Sequence, residues 1–165
     1  WIRIFDIYMK LLTRISLVSS AIMCGCLASC LQGVKYPPEP QLTYLDHTVT
    51  DSLDILGNPA SHFILITFEF TDGDGNIGEP ENSKTKNLFV SEYGILNGVK
   101  QTPVESQYRL PDVTPDGQNK SLKGEVDVDI VLFANYPHDS VQYEIYISDR
   151  SNNESNIIST PIIPL

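Results

Sequence analysis

The sequence has little of what chemistry usually needs. Its three cysteines, Cys24, Cys26 and Cys30, all lie near the N-terminus, so nothing beyond Cys30 can form a disulfide within the chain. Its three histidines, His47, His62 and His138, are scattered, and no H-x-x-x-H or H-E-x-x-H spacing for zinc occurs. There is no G-x-S-x-G nucleophile elbow and no G-x-x-x-x-G-K-[ST] phosphate loop. "GDGNIG" carries glycines, but no helical pattern follows it, so it is not read as a phosphate cradle. No apolar run approaches the roughly 20 residues that span a bilayer core. Positive charge is short as well, with 11 Lys and Arg against 21 Asp and Glu and a net charge of −10. Such a surface repels nucleic acid and anionic lipid.

What is present begins with an export signal. Lys10 and Arg14 precede an apolar stretch, "ISLVSSAIMCGCLAS", that ends in small residues. Met9 is read as the natural start, and residues 1–8, "WIRIFDIY", as an upstream over-call. "LASC", Leu27 to Cys30, resembles the lipobox of bacterial lipoproteins, an aliphatic residue and two small ones before cysteine. The resemblance implies a signal peptide over 1–29, cleavage before Cys30, and lipidation of Cys30. Two or more acyl chains hold a protein at a membrane where one binds reversibly. Leu31 stands where an aspartate would retain a lipoprotein at the inner membrane, so the outer membrane is expected. "LQGVKYPP" lacks the acidic cluster associated with surface export, which favours the periplasmic face.

Without residues 1–29 the chain has 136 residues, 8 of them basic and 20 acidic, for a net charge of −12. That is ordinary single-domain size, and stability must come from burial. Residues 30–40, with Pro37, Pro38 and Pro40, read as a lipidated cysteine and a semi-rigid tether. The folded part is expected over 41–165.

There the hydrophobic period is two. "GEVDVDIVLF" sets Val126, Val128, Ile130 and Leu132 against Glu125, Asp127 and Asp129. "SVQYEIYIS" sets Val141, Tyr143, Ile145 and Ile147 on one face. "HFILITFEF" does the same with Ile64, Ile66, Phe68 and Phe70, and its partly apolar second face, Phe63 and Leu65, suggests a central strand. Weaker candidates are "LTYLDHTV", "NLFVSEYG", "VESQYRL" and "NIISTPIIPL". No window shows a helical stripe. Seven or eight strands in about 125 residues predict an all-β, antiparallel β-sandwich. The polar interval 110–124 is expected as a surface loop.

"TDGDGNIGEP", Thr71 to Pro80, is the one stretch with the look of a site. Counted from Asp72, an EF-hand would need glycine at position 6, which is Ile77, and glutamate at position 12, which is Ser83. It is not an EF-hand. Glycines 73, 75 and 78 permit positive φ, and Asp72, Asp74 and Asn76 then converge, with Glu79 and Glu81 close behind. Crowded carboxylates repel unless a cation or a basic partner stands among them. Three readings stay open: an acidic turn capped by its own Asx hydrogen bonds, a calcium site, or an ion pair with Arg150. A second loop, "SDRSNNESN", supplies further oxygens from Asp149 and Asn153. The calcium reading therefore uses Asp72, Asp74, Asn76, Asp149 and Asn153. The ion-pair reading sets Arg150 against Asp72 and Asp74.

These two loops resemble those of a family of Bacteroidota lipoproteins to which no activity is assigned. Matching positions are Phe68, Phe70, Asp72, Gly73, Asp74, Gly75, Ile77 and Gly78, then Asp149, Arg150, Asn153, Ser155 and Asn156. Asn76 stands where the family has aspartate, which removes a charge, and Asn152 where it has glycine, which asparagine tolerates in the left-handed region. The resemblance implies an immunoglobulin-like sandwich and an outer-membrane anchor.

The functional expectation is a lipid-anchored, non-enzymatic envelope protein that binds or scaffolds a protein or glycan partner. Tyr36, Tyr44, Tyr93, Tyr108, Tyr136, Tyr143 and Tyr146 suit either a binding face or cross-strand packing. The alternatives are a small carbohydrate-active enzyme using paired carboxylates, or an accessory subunit of an outer-membrane complex. An apolar surface patch would argue for a protein partner, and a cleft with facing acids and tyrosines for a sugar.

Overall fold

A computed structural model describes residues 34–116 and 120–165. The predicted signal peptide and the lipidated Cys30 lie outside the described residues. Among those described there is no helix; every long element is a strand.

The chain forms β1 (Gln41–Leu53), β2 (Pro59–Asp72), β3 (Leu88–Leu96), β4 (Val99–Lys100), β5 (Val104–Tyr108), β6 (Leu122–Phe133), β7 (Ser140–Ile147), β8 (Ile158–Ser159) and β9 (Ile163–Pro164). All pairings between them are antiparallel. One sheet has the order β1-β2-β6. The other runs β4-β3-β7-β8, with β5 also on β3 and β9 also on β7. Nine elements replace the seven or eight expected because short edge pieces form where the sequence is weak: "NIISTPIIPL" gives two strands of two residues each, β8 and β9. "LNGVK" makes a hairpin with Asn97 and Gly98 at its tip, at φ 51° and 76°. Asn-Gly is the preferred pair where both turn residues need positive φ.

The alternation buries the residues it predicted. Ile64, Ile66, Phe68 and Phe70 of the first sheet meet Val90, Val141, Tyr143, Ile145 and Ile147 of the second in one hydrophobic core. This arrangement is compatible with a β-sandwich. Strand β2 is central by pairing, but its second face is open to solvent, with Phe63 47% exposed. The segment before β1 is more than a tether. Pro40 is buried, and the carbonyls of Tyr36 and Pro37 lie so close to Gly73 that no side chain fits between them.

Candidate functional site

Parity carries two carboxylates inward. On β2 every second residue from Ile64 faces the core, and the step after Phe70 is Asp72, which has no exposed surface. On β7 the step after Ile147 is Asp149, 5% exposed. A hydrophobic residue in either place would extend the core; here both inward steps are acidic. The two loops that follow meet. Arg150 N–H donates to the Asn76 carbonyl at 3.3 Å, and the Asn76 side-chain amide donates to Ser151 Oγ at 2.9 Å.

Carboxylate oxygens of Asp72, Asp74 and Asp149 all lie within 4.8 Å of one another. Asp72 Oδ2 accepts the Asn76 N–H at 2.9 Å, while its Oδ1 is buried without a partner. Burial pushes the Asp72 carboxyl above its ordinary value; Asp74 and Asp149 push the same way, and the N–H groups of Asn76 and Gly75 oppose them. Asp74 Oδ2 accepts from the Asn76 side-chain amide at 3.0 Å, and Asn76 Oδ1 is itself buried and unpartnered. Asp149 is held by Ser151 N–H and Asn153 N–H, both at 2.8 Å on Oδ1, and by the Asn153 side-chain amide at 2.8 Å on Oδ2. Asn153 thus orients Asp149 by donating to it, and its amide nitrogen faces the carboxylate. Asn152 sits at φ 64°, in the left-handed region anticipated for it.

Two expectations are corrected. Gly75 and Gly78 have positive φ (68° and 87°), but Gly73 does not. Gly73 serves close approach, to Tyr36 and Pro37. Arg150 pairs with neither Asp72 nor Asp74. Its guanidinium lies 2.9 Å from Asp112, and donates to Gly78 O at 3.1 Å and Thr114 Oγ1 at 2.6 Å. The reason is again parity: Asp149 points inward and the next side chain points outward, to the half-exposed Asp112, where desolvation is cheaper. Donors from Thr114, and then Arg150, hold the Asp112 carboxyl down to about 2. The inward parity of Asp72 and Asp149 was visible in the alternating pattern itself.

Two other surface features stand out. A cleft of about 410 Å³ opens between the two sheets beside β6, lined by Phe70, Val126, Tyr108, Arg109, Asp127 and Asp129 among others. At the other end of the first sheet, Phe63 and its cross-strand neighbour Val131 are exposed side by side. Phe133, at 70%, and Leu53, Ile55 and Leu56 around the β1–β2 turn are exposed near them.

The tyrosines divide. Tyr143 is in the core, and its hydroxyl and that of Tyr136 donate to Glu92 at 3.4 and 2.8 Å. Tyr146 stacks on Phe89, its cross-strand partner, at 4.6 Å. Tyr93 hydrogen-bonds Glu144 under Lys100, and Tyr108 reaches the cleft. His47 pairs with Tyr44 and His62 with Asp51, while His138 packs edge-on against Tyr136 with its Nδ1 buried and without a hydrogen-bond partner. Comparison of the chain with protein-family models, with curated proteins and with solved structures found no match.

Proposed function

We propose that this is a lipid-anchored, non-enzymatic protein of the bacterial outer membrane, on its periplasmic face, which binds or scaffolds a partner protein. The apolar patch of Phe63, Val131, Phe133, Leu53, Ile55 and Leu56 carries this reading. Exposed apolar surface gathered in one place marks association surfaces, whereas isolated exposed side chains need no explanation. Its position supports the same reading. The chain enters β1 beside Thr71, and the patch lies where β1 and β2 turn, some 12 residues further along. At about 3.3 Å per residue this sets the patch roughly 40 Å from the point of entry. The patch therefore stands at the end of the first sheet opposite the start of β1.

The strand order supports an immunoglobulin-like type of sandwich. The sheet β1-β2-β6 corresponds to strands A, B and E of that fold, and β4-β3-β7-β8 to C′, C, F and G. Such a scaffold holds loops and sheet faces rigid for recognition. The cleft beside β6 favours a second ligand class: Tyr108 with Asp127 and Asp129 suits one or two sugar rings.

The test is cross-linking in the native envelope from a photoreactive residue at Phe133, with Glu39 as control. A discrete protein adduct from Phe133 that disappears in Phe63→Ser is expected. Equal adducts from both positions, or none, would defeat the partner reading. A mass spectrum of the mature protein showing an unmodified N-terminus would defeat the anchor.

A further inference from the structure

The geometry points to a calcium site at the junction of the loops after β2 and β7, with Asp72, Asp74 and Asp149 as carboxylate ligands and Asn76 Oδ1 as an amide ligand. An acidic cluster alone would not carry this. The second observation is the pair of buried oxygens, Asp72 Oδ1 and Asn76 Oδ1, that have no hydrogen-bond partner. Asp72 has no exposed surface, so water does not satisfy its free oxygen from outside. A buried polar atom left alone is costly, and buried charge more so. A proton on Asp72 would relieve one oxygen and leave Asn76 Oδ1 bare. A cation bound by the two oxygens together would relieve both.

Arg150, next in sequence to Asp149, does not compensate the cluster, because it is engaged by Asp112, Thr114 and Gly78. The donors are all hard oxygens, which selects calcium or magnesium over zinc or copper. Oxygens within 4.8 Å of one another fit around an ion with bonds of about 2.4 Å. Magnesium holds its waters and usually takes one or two carboxylates, whereas calcium accepts six to eight oxygens in adaptable geometry. Two loops offering three carboxylates and an amide suit calcium. The hydrogen bonds of Ser151 and Asn153 to Asp149 orient the third ligand, as outer groups do at metal sites.

An ion here would tie together loops that continue from different sheets. It would also fix the 72–79 turn, whose Ile77 lines the cleft beside β6. The site is separate from the partner surface at the far end, and neither depends on the other.

The experiment uses the full chain in detergent, stripped with chelator, then titrated with calcium chloride or magnesium chloride by calorimetry and melted by circular dichroism. One calcium per chain is expected. The melting temperature should rise by about 5–10 °C at roughly a hundredfold excess over the dissociation constant. Asp74→Asn, an exposed change, should weaken binding at least tenfold and melt no lower than the wild type in chelator. Asp72→Asn should abolish the response and melt no lower than the wild type in chelator, since repulsion is relieved. No heat and no shift in the wild type would overturn the site. So would a calcium response surviving Asp74→Asn in full, and a magnesium response equal to that of calcium would overturn the choice of ion. If Asp72→Asn does not fold, Asp74→Asn decides.

Discussion

Phe63 and Phe68 lie on the same strand and face opposite ways: Phe68 has no exposed surface, and Phe63 keeps 47% of its own. Their energetic roles should separate as cleanly. Phe68→Ala is expected to cost about 3–5 kcal/mol through lost burial and the cavity left behind. Phe63→Ala should fall within about 0.5 kcal/mol of the wild type. Urea denaturation of both variants measures the difference, and equal costs would mean that the outer face of the sheet is covered.

Gly78 and Gly98 both have positive φ, at 87° and 76°, but their surroundings differ. A methyl group on Gly98 meets open space, so Gly98→Ala should cost only the backbone strain, about 1 kcal/mol. A methyl group on Gly78 would drive into the Pro111 carbonyl. That approach is held by Glu79 N–H to Leu110 O at 2.9 Å and Asp112 N–H to Glu79 O at 3.0 Å. Gly78→Ala should therefore cost roughly 3 kcal/mol or more, since strain and overpacking add. Thermal melts of the two variants, run side by side, give the ranking.

Arg150 joins the loop after β7 to the 110–116 segment through an ion pair with Asp112 and a hydrogen bond to Thr114, and to the loop after β2 through a hydrogen bond to Gly78 O. Arg150→Ala is expected to destabilise by about 1–2 kcal/mol, kept modest by the solvent that reaches the pair. Arg150→Lys should recover only part, because an ammonium group cannot hold Asp112, Thr114 and Gly78 in the same fork. Comparing both variants in low and high salt tests the assignment. Only the Asp112 share should shrink as salt rises.

Tyr136 and Tyr143 share Glu92, and burial followed by that carboxylate raises both phenols above their ordinary value. A phenol pKa raised by folding stabilises the fold fully below the ordinary value of about 10, and that share is lost as pH rises further. Ultraviolet titration should show these two tyrosines ionising only as the chain unfolds in alkali. Tyr136→Phe should cost about 1–2 kcal/mol, because Glu92 keeps only the longer bond from Tyr143. All tyrosines ionising together near pH 10 in the folded protein would contradict this.

The three longest alternating runs became β2, β6 and β7, with the predicted inward residues in the core, except Val126 and Ile130, which are partly buried against it. Within the polar interval 110–124, residues 110–116, 120 and 121 lie outside the strands, apart from an isolated bridge at Pro111, while 122–124, expected as loop, open β6. Asn97-Gly98 was a legible turn signal, and the hairpin it makes is short because only two residues follow on β4. The inward placement of Asp72 and Asp149 was legible in the same way, as one more step of a period already established.

An extended backbone turns successive side chains to opposite faces, so period two exposes strand, face and core residue to anyone reading the chain in order. That rule is local, and it accounts for nearly everything the sequence decided here. Pairing is not local. That β6 lies against β2, that β3 lies against β7, and that Arg150 meets Asp112 depend on closing loops and packing residues far apart in the chain. The same holds for the convergence of Asp72 with Asp149. Their oxygens come within 4.8 Å because two strands from different sheets end at the same side of one core, and only folding brings those ends together.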